Sequence, residues 1–316
     1  MQIIEMKKNV IGIYKFLNQV IREFISDNVL KYSASLAYYT IFSLIPMLVI
    51  IISIFGLVFG KESIEGQIYI QLKNLIGSNA SIQIQESIKE IHFSGQSTTA
   101  AFISSIVLLI GATGIFAEIQ DSLNKIWGLR IKSKKVWWKL ILDRLVSFSL
   151  ILSVGFIMMV SLTINAIVVS IGQKITNLVS NSTVQTFPFV ENTISFIASF
   201  FLFAFIFKVL PDAKIKWKDV SVGAFITTIL FSAGKIAIGF YLGKSNFANI
   251  YGAGSSIMII LVWTYYSSMI LYLGAEFTKV YAKNYGGKIL PNNYSEWIAL
   301  EEIPVKNITL NAEINN

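Results

Sequence analysis

The residues best placed to do chemistry in this chain stand inside apolar sequence. Lys235 falls within the run Val220–Leu242, Asn165 within Leu145–Ile171, and Trp263, Tyr265 and Tyr266 within Tyr251–Ala275. A charge held in hydrocarbon is costly and needs a functional or structural reason. If Val220 starts its run at the cytoplasmic side, Lys235 lies about 12 Å short of Gly243 at 1.5 Å per residue. A lysine stem recovers about half of that by snorkelling. Two readings therefore stand together: an ammonium that reaches the outer headgroups, or one that lines a wet cavity beside Asn165 and suits an anionic headgroup or solute. The two tyrosines and the tryptophan lie near mid-run, so their polar tips need partners or water.

Two further sets sit at the ends of the runs. Glu118, Asp121, Asn124, Asp212 and Glu276 form a candidate charge network at the cytoplasmic mouth of a bundle, with a proton or cation relay as the alternative reading. Lys132, Lys134, Lys135, Lys139 and Arg144 surround Trp127, Trp137 and Trp138. Aromatic rings interleaved with bases mark an interfacial anchor, here for anionic lipid headgroups and not for nucleic acid.

Enzyme chemistry finds little to use. His92 is the single histidine and cysteine is absent, which removes thiol nucleophiles, disulfides and the usual zinc ligand sets. No phosphate-binding glycine loop, GxSxG elbow or HExxH motif occurs. The expectation is no catalytic residue, no metal and no cofactor.

The elements that must position these residues are read from hydropathy. Of the 316 residues 54% are hydrophobic and 14% charged, and the mean hydropathy is +0.64, which excludes an ordinary soluble domain. Six apolar runs, Tyr38–Phe59, Ala100–Ala117, Leu145–Ile171, Thr193–Phe207, Val220–Leu242 and Tyr251–Ala275, mostly match the roughly 20 residues that cross a bilayer. The fourth is short, and Lys208 could snorkel at its end. Lys and Arg number five in the N-terminal arm, seven in the second loop, four in the fourth and four in the tail, twenty in all. The first, third and fifth loops hold three, one and one. The positive-inside rule then puts both termini in the cytoplasm.

The fold expected is all-α: six transmembrane helices over 38–286, an amphipathic cytoplasmic arm over 1–37, and a flexible cytoplasmic tail over 287–316. In the arm, Val10, Ile13, Tyr14, Leu17, Val20, Ile21, Phe24 and Ile25 recur at helical spacing. The external loop 60–99 carries two helical stripes, Ile64, Ile68, Leu72, Leu75 and Ile76, then Ile84, Ile88 and Ile91, expected to cap the bundle. Small residues, among them Gly111, Gly114 and Gly234, predict close helix approach.

The same residues carry a family resemblance. The segment from Ala34 to Pro46, reading ASLAYYTIFSLIP, resembles the opening signature of the YihY/BrkB family of bacterial membrane proteins. Asn124-Lys125-Ile126-Trp127, Leu210-Pro211-Asp212, Trp217-Lys218-Asp219 with Gly223-Ala224, Tyr251-Gly252-Ala253, Trp263-x-Tyr265 and Leu273-Gly274-Ala275-Glu276 are similar to its later signatures, in order. The resemblance implies a six-helix protein of the bacterial inner membrane with cytoplasmic termini, not a settled activity. Members have carried the label ribonuclease BN and have been described as virulence factors and as candidate transporters. The residues favour a non-enzymatic transporter or lipid-handling protein, a homo-oligomer being compatible. A membrane scaffold is the alternative. A ribonuclease using Glu118, Asp121 or Asp212 is the least supported, because its acids are dispersed along the sequence.

Overall fold

The computed structural model describes residues 2–76, 78–90, 98–132, 142–156, 186–244 and 255–298. Helices dominate. α1 (Gln2–Ser26) and α2 (Val29–Phe59) are separated by Asn28, whose φ of 55° ends one helix and starts the other. Asparagine tolerates that left-handed conformation better than most residues. α3 (Lys61–Ile76) and α4 (Ser78–Glu90) follow a turn at Gly60, with φ 83°. Then come α5 (Thr98–Ile126), β1 (Leu129–Ile131), α6 (142–156), α7 (Thr186–Val209), β2 (Ala213–Lys214), α8 (Trp217–Lys244), α9 (Ser255–Asn284), β3 (Leu290–Pro291) and β4 (Ser295–Trp297).

Among the described residues, four helical segments are long and apolar enough to cross a membrane: Val29–Phe59, Ile106–Ile126, Trp217–Ile238 and Ile257–Asn284. They correspond to the first, second, fifth and sixth expected runs. The fourth run lies in α7, whose apolar part, Thr193–Val209, is shorter. The third run begins in α6, and its continuation to Ile171 lies outside the described residues. Lys208 at the end of α7 turns back, donating to the carbonyl of Ile215 and lying 5.6 Å from the centre of the Trp217 ring. Leu210 beyond it is buried.

The helices pack in the order α5, α2, α9, α8, α7, so α2 and α9 form the middle of the bundle. Bulk and lack of bulk alternate where they touch. Gly111 of α5 faces the ring of Pro46, around which α2 continues, and Gly114 faces Ser43. On the α8–α9 seam the pattern is reciprocal. A methyl group on Gly223 would coincide with the Thr278 hydroxyl, and one on Gly274 with that of Thr227. Each threonine hydroxyl donates to the carbonyl of the glycine four residues before it, at 2.7 Å, so neither is left unpaired. Two Gly-x-x-x-Thr motifs thus interlock antiparallel helices at backbone distance.

The expected stripes of the first long loop are core-facing in part: Ile64, Ile68, Ile76, Ile84 and Ile88 are all buried. α3 and α4 fold back beside α2, and with Ile52 they enclose a small cleft edged by Glu65, Tyr69, Ser81 and Gln85. Ile91 lies outside the described residues.

The start of the C-terminal tail departs from expectation. Instead of loosening at residue 287, the chain returns across the bundle end. β3 pairs antiparallel with β2, and β4 with β1, in the register Leu129 with Trp297 through Ile131 with Ser295. Ile289 and Ser295 are buried. The run of asparagines that reads as disorder in the sequence contains a turn, with Tyr294 N donating to the Asn292 side chain at 2.8 Å. Residues 299–316 lie outside the described residues.

Candidate functional site

One end of the bundle gathers the start of α2, the ends of α5, α7 and α9, and the start of α8. These belong to the arm, second loop, fourth loop and tail that hold twenty of the Lys and Arg residues. Of the acids expected there as one network, Asp212 and Glu276 belong to two separate centres, and Glu118 and Asp121 stand outside both.

Asp212 is the first, and it is 2% exposed. Its Oδ2 accepts from Asn124 Nδ2 at 2.9 Å and from Gln120 Nε2 at 3.4 Å, while its own N–H donates to Asn124 Oδ1 at 2.8 Å. Asn292 Nδ2 donates to Oδ1 at 3.1 Å, and Asn292 N–H and the Ser295 hydroxyl both donate to the Asp212 carbonyl. Gln120 also reaches Asp143 of α6 at 3.0 Å. A single carboxylate therefore clasps α5, the loop after α7 and the C-terminal strands. Burial demands such partners, because an unmet carboxylate oxygen costs several times what a made hydrogen bond returns.

The second centre is Lys279, which meets Glu23 at 3.0 Å, Asp27 at 2.5 Å and Glu276 at 3.3 Å. Glu276 has no exposed side-chain surface, and its Oε1 has no hydrogen-bond partner among the described residues. Burial alone would raise the Glu23 carboxyl. Hydrogen bonds from Gln19 and Lys279, with the charges of Lys279 and Lys283, outweigh burial and hold it below the usual carboxylate range. Asp121 is more exposed and pairs with Lys125 one turn on, a contact of modest worth. Lys125 in turn lies 5.6 Å from the Tyr32 ring centre. Glu118 accepts from Ser122 at 3.5 Å.

Trp127 departs from the role the sequence suggests, and Arg144 and Lys132 make structural contacts. Trp127 is not an interfacial anchor: its ring is 2% exposed and its indole N–H donates to the Ala275 carbonyl of α9 at 3.2 Å. Arg144 donates to the Thr113 hydroxyl of α5 while staying exposed, so it ties α6 to α5. Lys132 is exposed, with its backbone N–H on the Tyr294 carbonyl at 2.8 Å. Lys134, Lys135, Lys139, Trp137, Trp138, His92 and Asn165 lie outside the described residues.

Within the apolar stretch of α8, Lys235 is half-buried. The neighbouring Gly234 packs against Tyr266 and Ile270 of α9. Trp263 and Tyr265 are half-buried too, and Trp263 meets Phe231 edge-on, 6.3 Å between ring centres. Lys235 and Tyr266 are thus brought to one stretch of the α8–α9 seam. Along α9 the Ser267 hydroxyl and Glu276 Oε1 are buried with no hydrogen-bond partner among the described residues, while the buried Tyr272 hydroxyl lies toward Ser122 of α5.

Sequence reasoning missed Gln120, Asp143, Asn292 and Ser295 around Asp212, and Glu23, Asp27 and Lys279 around Glu276. The twin Gly-x-x-x-Thr spacing was a readable signal for the seam. The partners of Asp212 had none, since their pairing spans 80 residues or more of chain.

Comparison with known proteins fits this arrangement. The family model described as "Virulence factor BrkB" matches residues 20–296, which takes in both clasps. The chain belongs to the BrkB family. A UPF0761 membrane protein of Vibrio atlanticus is 26% identical over 283 residues, covering 87% of this chain and 85% of the relative. One from Chlorobium phaeobacteroides is 28% identical over 273 residues, and one from Alkalilimnicola ehrlichii 26% identical over 271. This BrkB-family chain spans 59% and 57% of the length of those two. No solved structure matches it. The motifs that carry the resemblance now have physical roles. Asn124 and Asp212 bond each other, Trp127 fills the core under α9, and Gly223 and Gly274 form the seam. The buried Asp219 accepts from Gly287 N–H at 2.9 Å, in space that a side chain on Gly286 would occupy.

Proposed function

We propose that this BrkB-family protein is a non-enzymatic transporter or lipid-handling protein of the bacterial cytoplasmic membrane, with six spans and its clasped end in the cytoplasm. The observation that carries the reading is that two buried polar atoms on α9, the Ser267 hydroxyl and one oxygen of Glu276, find no hydrogen-bond partner among the described residues. A buried polar atom left without a partner costs roughly several kcal/mol, so such atoms on a central helix favour a route that admits water or polar solute. Lys235, Trp263, Tyr265 and Tyr266 border that route, with Asn165 as a further candidate. The ammonium of Lys235 supplies the charge for an anionic headgroup or solute.

The clasped end favours the cytoplasm through its cations, and the basic second loop of the sequence, with Lys132, Lys134, Lys135, Lys139 and Arg144, suits anionic lipid. Nuclease chemistry is disfavoured by how the acids are engaged. Asp212 spends both oxygens on amide donors, and Asp121 pairs with Lys125. A scaffold is the second reading, favoured by the interlocked α8–α9 seam, which leaves no room between the helices at Gly223 and Gly274.

Transbilayer movement of fluorescent anionic and zwitterionic lipids in proteoliposomes tests the choice. Faster movement than in empty vesicles, lost in Lys235→Ala, is the expected result. Movement equal to that of empty vesicles, together with no flux of small anions, would leave the scaffold.

A further inference from the structure

The exposed side of α1 divides by chemistry. Phe16 packs against Phe277 of α9 and Tyr285 just beyond it, with ring centres 5.1 and 5.8 Å apart, and Val20 is buried. Asn284 donates to Gln19 at 3.0 Å, and Glu23 and the following Asp27 hold Lys279. That face is the bundle contact. Next to it around the helix, Ile13, Tyr14, Leu17, Ile21 and Ile25 form an apolar arc of about 120° at 3.6 residues per turn. They are 48–69% exposed. Beyond the arc come Lys15 and Arg22, both exposed.

We propose that this arc seats α1 in the headgroup–acyl boundary of an anionic lipid leaflet, making α1 a surface anchor clamped to the bundle. Three observations select lipid as the occupant. The acids Glu23 and Asp27 are turned inward to Lys279 while Lys15 and Arg22 face outward, so the free charge beside the arc is cationic and complements lipid phosphate. Past the break at Asn28, α2 also presents apolar side chains outward, with Leu30, Tyr38 and Phe42 50%, 60% and 63% exposed. A second copy docked on the same arc would bring Lys15 and Arg22 toward their own duplicates, which like-charge repulsion opposes. The inference goes beyond transport and stands whether or not the bundle carries a solute.

The absence of cysteine makes the test direct. Leu17→Cys, Ile21→Cys and Arg22→Cys, each carrying a nitroxide on the full chain, would be placed in vesicles of phosphatidylcholine alone or mixed with phosphatidylglycerol. The expected result is greater access to oxygen than to a water-soluble nickel reagent at 17 and 21, and the reverse at 22. The difference should grow in the anionic vesicles and shrink when Lys15→Glu is added. Aqueous access at 17 and 21 equal to that at 22 in both vesicles would overturn the proposal. So would dipolar broadening between labels at 17 or 21, which would assign the arc to a second copy.

Discussion

Lys279 holds three carboxylates within 3.3 Å, and one of them, Glu276, has no exposed side-chain surface. Removing the ammonium would leave a buried carboxylate uncompensated, a loss of about 3–5 kcal/mol for a pair of this kind. Lys279→Ala is therefore expected to lower thermal stability sharply and to free α1, seen as faster proteolysis near Asp27 and Asn28. Glu23 gives the same clamp a pH dependence. Its folded-state carboxyl is held below the ordinary value, so its contribution is complete above that value and is lost as pH falls through the lowered one. Proteolysis of the native chain near Asn28 should rise on acidification through that range. In Lys279→Ala it should be high at neutral pH and change little. Neither Glu23 nor Asp27 stands out in the sequence, where both look like solvated charges on an amphipathic arm.

Helix α8 meets α9 through two glycines and two threonines, and the elements as a whole were legible because hydropathy and small-residue spacing are local properties. The runs near α2, α5, α8 and α9 and the buried stripes of α3 and α4 all follow from periodicity. What periodicity cannot convey is which face of one helix meets which face of another. The Asp212 clasp depends on that information, as does the conversion of an asparagine-rich tail into strands. The seam predicts a coupled pair. Gly223→Ala should destabilise by about 1–3 kcal/mol through overpacking, and Thr278→Ala added to it should recover part of that loss. Additive losses, measured as melting temperatures in detergent, would mean that the two positions do not touch in the membrane.

The whole molecule combines a tightly locked end with a middle that is less well satisfied. Its clasped end ties arm, second loop, fourth loop and tail together through Asp212 and Lys279. Its central helix α9 carries the Ser267 hydroxyl, buried with no hydrogen-bond partner among the described residues. A wet route along α9 is the physical core of the proposed function, and water access to Ser267 tests it most directly. In the cysteine-free chain, Ser267→Cys would be exposed to a small, charged thiosulfonate in intact membranes, with Ile257→Cys on the outward-facing side of the same helix as the control. A thiol reacts as thiolate and so needs water. Modification at 267 well above that at 257 is the predicted result. Protection at 267 equal to that at 257, in a protein that folds normally, would mean a dry interior and contradict the route.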